Sequence, residues 1–339
     1  TNTQVKGVDE ADIVKNDGQY IYLLHGSTFQ VLTAWPAQSL AAASKVDIEG
    51  HPTEMFVADG RAVVFSTVDG ASLYQAAGIA ARTRYASGGA AARCYDAWSC
   101  SNGHPVTKVT ILSVAGSGAA VERELYLEGN YVSSRRVDKT VRIILQGAAY
   151  GPPVTTYPDF SGRDPNAGPV SRDEYIAAYE RLRQKNAELI NGTTAESWLP
   201  YQFTRAGGAV QGKLTACDHF YVPTDATTEY GVTQIATVDL DTKDLGSSVA
   251  VLGAVDTVYA NADSLVLAAR AWISPRRWSQ RPENRKAPFV DFLPSNATYL
   301  HRFDIKQPVP SYVGSGAVTG QVLNQFSIDQ KDDVLRIAT

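Results

Sequence analysis

The sequence predicts an all-β fold assembled from a recurring antiparallel sheet, and three observations carry that prediction. Apolar runs with strand character recur, a glycine follows each at a similar distance, and an acid follows each glycine nine or ten residues later. The runs are YIYLLHGSTFQVLTAW (20–35), VTILSVAG (109–116), QIATVDLD (234–241) and TYLHRFDIK (298–306). The glycines are Gly50, Gly129, Gly253 and Gly320, lying 18, 17, 15 and 17 residues beyond Leu32, Leu112, Val238 and Phe303. The acids are Asp59, Asp138, Asp263 and Asp329, each expected at a turn before a β-rich run: AVVF (62–65), VRIIL (141–145), LVLA (265–268) and VLRIA (334–338). Aspartate suits short turns because its carboxylate accepts nearby backbone N–H groups. A turn-former is needed once per repeat, whereas a catalytic acid is not. One such sheet cannot bury both of its faces, so copies must stack. Radial stacking of four-stranded antiparallel sheets is a β-propeller, favoured over an irregular sandwich because a sandwich has no use for a repeated spacing.

The reading is therefore a single β-propeller domain over residues 1–339, or the N-terminal part of one, with the excess chain leaving the blades as insertions at about 70–105, 148–212 and 270–295. The first insertion is rich in Ala and Gly and contains CYDAWSC, where Cys94 and Cys100 are spaced for a local disulfide in an oxidising compartment; two unpaired loop thiols are the alternative. Cys217, in TACDHFYVP, reads as a small buried hydrophobe. The second insertion carries SRDEYIAAYERLRQKNAELING, which predicts a helix over about 171–190. Ser171 and Glu174 form a capping-box pattern, and Asn191-Gly192 is expected to stop the helix in a left-handed turn. Tyr175, Tyr179, Leu182 and Leu189 share one face, which predicts docking over the sheet, with a partner-binding face as the alternative. The third insertion, RAWISPRRWSQRPENRK (270–286), combines Arg276, Arg277 and Arg281 with Trp272 and Trp278. Arginine forks and aromatic faces suit glycans, anionic polymers or acidic protein surfaces; the plainer reading is a solvated loop with its tryptophans packed on the blade beneath.

Composition narrows the function classes. Hydrophobic residues make up 44% and charged residues 19%, which is the balance of a globular chain. The 31 basic residues against 35 acidic ones leave a net charge of −4, giving no electrostatic footprint for a nucleic-acid backbone. No apolar run reaches the length of a transmembrane helix.

The two ends of the chain carry a resemblance. TNTQVKGVDEADIVKNDG at residues 1–18 matches every fixed position of a TN-x-Q-V-x-G-V-D-E-A-D-I-V-K-x-D-G pattern. An N-Q-F-S-x-D…L-R-x-A-T pattern is matched at Asn324 to Asp329 and Leu335 to Thr339, and an S/T-R-x-E-Y helix start at Ser171 to Tyr175. In these patterns the chain resembles the β-propeller-domain family of secreted bacterial and archaeal proteins, distant relatives of WD-repeat propellers. The resemblance implies a propeller scaffold, export, and residence in the periplasm or at the cell surface; it carries no assigned reaction. Members of that family usually continue past the L-R-x-A-T strand. About four units are legible, so the expectation is an incomplete ring whose missing C-terminal blades come from another segment or from further chain beyond Thr339.

Candidate chemistry begins with the acids of the opening segment, Asp9, Glu10, Asp12 and Asp17. They could ligate a hard cation such as Ca²⁺, with Asp9, Glu10 and Asp12 as the ligands, although D-E-x-D lacks the spacing of a calcium loop. They could instead satisfy arginines and backbone donors where the segment joins the ring. No other cofactor is expected. The histidines 25, 51, 104, 219 and 301 are scattered without the spacing of a zinc site, and there is no nucleophile elbow or P-loop. No catalytic residue stands out. The expected function is an extracytoplasmic scaffold that binds protein or surface glycan at the cell envelope. The alternative is a propeller hydrolase or lyase with an axial carboxylate and divalent-cation site, and the two differ in what fills the axis.

Overall fold

A computed structural model describes residues 4–79, 105–147, 152, 154–160, 162–164, 168–206, 208–222, 227–228, 231–246, 248–272 and 297–339. Strands are numbered in chain order. The leading segment contributes β1 (Asp9–Glu10) and β2 (Val14–Asn16), and β2 opens the first sheet, continued by β3 (Tyr20–His25), β4 (Thr28–Thr33) and β5 (Ala41–Asp47). The second blade is β6 (His51–Ala58), β7 (Arg61–Asp69), β8 (Pro105–Ala115) and β9 (Gly118–Glu128). The third is β10 (Asn130–Val137), β11 (Thr140–Gly147), β16 (Val232–Asp239) and β17 (Val249–Leu252); the fourth is β18 (Thr257–Ala260), β19 (Ser264–Trp272), β20 (Ala297–Asp304) and β21 (Ser311–Thr319). A last hairpin, β22 (Ile328–Lys331) with β23 (Val334–Ile337), packs on the fourth blade.

The predicted four-stranded unit is present, but inserted strands enlarge three blades. Strands β12 (Tyr201–Ala206) and β13 (Ala209–Leu214) extend the second sheet beyond β9. Strand β14 (Phe220–Tyr221) pairs in parallel with β17, and β15 (Thr227–Thr228) pairs with β19. The end of the second insertion thus returns β12 and β13 to a sheet, where the sequence suggested only coil and a helix, and the chain just beyond it adds β14 and β15.

Blades bury their faces against one another. Along β6 and β7, Met55, Ala62 and Val64 point to the first sheet and meet Tyr22, Leu24, Phe29 and Val31, while Phe56, Val63 and Phe65 point to the third and meet Val141, Ile143 and Val238. A strand covered on both faces needs apolar residues at successive positions, which is why AVVF reads as a run instead of an alternation. Val249, Val251 and Ile144 of the third blade pack likewise on Leu265, Leu267 and Phe303 of the fourth.

The recurring glycines sit at the crossings, where the outermost strand of one blade hands the chain to the innermost strand of the next. Gly50, Gly129, Gly253 and Gly320 take φ of 83, 126, 153 and 87°, a region that favours glycine. Three crossings share a clasp that the spacing did not disclose: Thr107 Oγ1, Thr233 Oγ1 and Thr298 Oγ1 donate to the carbonyls of Gly129, Gly253 and Gly320 at 2.8, 2.7 and 2.9 Å. Asp59 and Asp138 occupy the β6–β7 and β10–β11 turns with φ of 51 and 50°. Asp263 lies in the β18–β19 turn, where the acceptor of backbone N–H is the Asn261 side chain. Asp329 departs from expectation. It lies within β22 opposite Arg336, and the turn falls three residues later, with Asp332 at φ 53°.

Helix α1 (Ala71–Ala76) starts the first insertion, and α2 (Arg172–Asn191) is the helix of the second. The α2 capping box forms as read, with the Ser171 hydroxyl accepting from Glu174 N and the Glu174 carboxylate accepting from Ser171 N. Its C-terminus does not: Gly192 is right-handed at φ −78°. The helix also does not seat its tyrosines on a sheet. Tyr175 and Tyr179 are 45% and 41% exposed, only Ala178 is buried, and the helix is held by its own coil through Phe160 against Tyr175 and Asn186 against Thr155. Cys217 is exposed, because Ala216 to His219 form a surface turn in place of a core strand.

Gly50 offers a test of the crossing geometry. An added Cβ would lie 2.2 Å from the Thr67 carbonyl oxygen, whereas Gly26, also at positive φ, has nothing within 4 Å. Gly50→Ala is expected to lower stability by more than about 2 kcal/mol and Gly26→Ala by about 1 kcal/mol or less, read from urea midpoints.

His301 offers a second. It is 1% exposed in β20, beside Tyr299 and Tyr312, and burial lowers its pKa to about 4. The unfolded chain, with a histidine pKa of about 6.5, takes up the proton first, so stability is full above that pH and falls towards pH 4. The wild type should lose roughly 3 kcal/mol across this window that His301→Gln does not lose; equal pH slopes for the two would refute the assignment.

Candidate functional site

The opening segment runs as a strap across the inner strands. Gln4 Nε2 donates to the carbonyls of Gln325 and Ile328 beside the last hairpin at 2.8 and 3.2 Å, and Val8 packs into the core between the third and fourth blades. Strand β1 pairs with β10, Asp12 bridges to Met55 of β6, and β2 pairs with β3. One short stretch therefore touches each successive unit, and its acids fall where the inner strands bring cations together.

Asp9 accepts from buried Lys15 Nζ at 2.9 Å and from Arg136 Nη2 at 3.2 Å. Glu10 faces Arg135 at 4.0 Å and accepts from the Gln325 amide at 3.3 Å. Arg135, 4% exposed, gives Nη2 to Gln325 Oε1 at 2.5 Å and to the Val258 carbonyl at 3.1 Å, and Nη1 to Ser133 Oγ at 2.6 Å and the Ser134 carbonyl at 2.8 Å. Burial lowers its pKa, while the nearby Glu10, Tyr131 and Glu54 act in the other direction. Below this layer Glu54 accepts the Tyr131 hydroxyl at 2.7 Å. Burial raises the Glu54 pKa against the opposing pull of that hydrogen bond and of Arg135, and burial raises the Tyr131 pKa well above its ordinary value.

Asp12 turns back to its own backbone, accepting from Ile13 N at 2.7 Å, and Asp17 forms a turn, accepting from Gln19 N, Tyr20 N and the Tyr22 hydroxyl. The four acids thus act in different places, and Asp9, Glu10 and Asp12 do not converge. Among the described residues there is no group of three His, Cys, Asp or Glu side chains placed to hold a metal ion. The inner layer is instead a charge-compensated lattice that fixes the strap to the second, third and fourth blades. Residues missed by sequence reading are Arg135, Arg136, Tyr131, Glu54 and Lys15; each lies in a strand, and nothing in the sequence marks these polar side chains as partners of the strap.

The predicted binding residues Arg276, Arg277, Trp278 and Arg281 lie outside the described residues, as do Cys94 and Cys100; Trp272 ends β19. His219 Nδ1 lies 3.2 Å from the Ser248 carbonyl oxygen on the outer side of the third blade, beside exposed Cys217. A polar cavity of about 310 Å³ lies between α2 and its coil, lined by Asp159, Phe160, Arg163, Glu174 and Arg181. Arg163 donates to the Pro169 carbonyl and to Glu174, so this cavity is braced by internal pairs. No described helix is long and apolar enough to cross a membrane.

Stacked antiparallel blades with inner strands held by a crossing strap define a β-propeller. A family model described as "Beta propeller domain" matches residues 1–339, so the chain belongs to the β-propeller domain family. A search of curated proteins finds no match.

Arg135→Met would leave Glu10 facing the inner strands without its guanidinium partner. A loss of about 3–5 kcal/mol is expected, with part recovered in Glu10→Gln/Arg135→Met, and the pair's coupling read from a double-mutant cycle. Strict additivity would show that Arg135 acts without Glu10, through its hydrogen bonds to Gln325, Ser133 and the backbone carbonyls.

Proposed function

We propose that this propeller is a protein- or glycan-binding scaffold at the cell envelope, outside the cytoplasm, with α2 and the basic loop of 270–286 as its contact surfaces. The observation that carries the reading is at the inner strands: Asp9, Glu10, Arg135, Arg136 and Glu54, the groups best placed for axial chemistry, are spent on one another and on the strap. Recognition then belongs to the periphery. There α2 exposes Tyr175, Ile176 and Tyr179 together, a small apolar patch on an otherwise charged helix, and tyrosine gives large contact area at low entropic cost. The loop adds arginines and tryptophans of the kind that grip acidic or carbohydrate surfaces.

A competing hydrolase or lyase reading has one point in its favour, the raised pKa of Glu54 near Asp12. Its carboxylate is nonetheless engaged by Tyr131.

The test uses a purified envelope fraction, with retention of the whole chain measured by co-sedimentation and contacts mapped by cross-linking. Cross-links are expected on α2 and on 270–286. Ile176→Ser/Tyr179→Ser and Arg276→Ser/Arg277→Ser/Arg281→Ser should each lower retention several-fold at an unchanged unfolding midpoint. Unchanged retention in both variants would end the scaffold reading, and turnover of any envelope polymer that Glu54→Gln abolishes would replace it with the enzyme.

A further inference from the structure

Among the described strands, the two longest outer strands of the blades differ in what lies beside them. The 11-residue β9 is covered by β12, and β17 carries β14 along part of its length. The fourth blade ends in β21, nine residues long, which pairs with β20 on one side; no described strand pairs with its other side. That side presents alternate N–H and C=O groups to solvent, the arrangement that templates another strand. Folded chains usually blunt such an edge with lysine, proline or a charge, yet SYVGSGAVT contains none of these. Other free outer edges among the described strands do carry charge: β5 has Lys45 and ends on Asp47, and β13, AVQGKL, includes a lysine.

Two glycines in β21 sharpen the point. A Cβ built at Gly314 or Gly316 would meet nothing within 4 Å, and neither has a positive φ, so the fold of one chain does not require glycine there. Glycine inside a strand costs stability, and one of its uses is the close approach of another backbone.

We propose that β21 pairs with the β21 of a second copy of this chain, edge to edge and antiparallel, about a two-fold axis at Gly316. A bulge at Val313, which has no partner on β20 between Tyr312 and Gly314, ends the regular stretch on one side. Within it the two-fold sets Gly314 opposite Val318, Ser315 opposite Ala317 and Gly316 opposite Gly316. Small residues therefore face small or β-branched ones, no charge opposes a like charge, and the self-pairing has no electrostatic penalty. A second copy suits this edge better than a charged peptide, since β21 offers no ion-pair partner. The short pairing makes the dimer weak and reversible. This inference is independent of the scaffold reading, because it needs no envelope component.

The test is sedimentation velocity of the intact chain over a concentration series, with amide hydrogen exchange of residues 314–318. Concentration-dependent dimerisation is expected, with protection at these amides rising in parallel. Ala317→Lys, at an exposed position, should weaken association at least tenfold while leaving the unfolding midpoint unchanged; so should Ala317→Glu. Mixing the two variants should restore association, because the lysine of one copy then lies near the glutamate of the other. A chain that stays monomeric throughout overturns the proposal. So does a dimer that both variants leave intact, or one that forms without protecting 314–318.

Discussion

The structure depends on sheet faces that are buried mainly by neighbouring sheets. Apart from the patch where α1 sets Leu73 and Tyr74 on Val68, Val106 and Tyr126, the second blade is covered by its neighbours: Met55, Val64 and Leu112 by the first sheet, and Phe56, Phe65 and Ile111 by the third. Apolar burial stabilises roughly in proportion to area removed from water, so each blade owes much of its stability to its neighbours. Such a stack is quasi-one-dimensional, with stability held in the interfaces between units. The last hairpin follows the rule, since Ile328, Leu335 and Ile337 join Val266 and Leu300 of the fourth blade.

Contacts between neighbours alone would leave the inner strands held only through their own blades. The strap changes this. Gln4, Val8, Asp9, Glu10 and Asp12 tie residues of the leading segment to units distant in sequence. Its ion pairs lie where solvent is scarce, so their contribution is mainly to fix register: a buried Arg135 has little alternative to the Gln325, Val258 and Glu10 groups around it. Apolar contacts tolerate small slides, whereas a lattice of directed hydrogen bonds does not. The same commitment ties up the charged groups of the inner strands in contacts within the fold.

Legibility in the sequence followed the range of each interaction. The crossing glycines were visible because a positive φ constrains one residue type at one position. The Thr107, Thr233 and Thr298 clasps were equally periodic but hidden, because threonine is also an ordinary strand residue. Asp329 was misplaced because an acid near a hairpin can stand in the strand or at the turn, and Asp332 takes the left-handed position instead. The face of α2 was read correctly as a pattern and incorrectly as a contact. Helical spacing tells which side chains align, not whether a sheet lies beneath them, and here the helix rests on its own coil.

By itself the sequence determined the strand-rich class, the repeated unit, the blade crossings and the start of α2, all of which follow from conformational preferences a few residues long. Only the tertiary structure decided which strand of an insertion joins which blade, and which cations the opening acids meet. Strands β12, β14 and β15 are too short or too plain to declare their partners, and the Asp9–Arg136 pair joins residues far apart in the chain. Such pairings exist once the blades are stacked, because stacking is what brings the inner strands within reach of the strap.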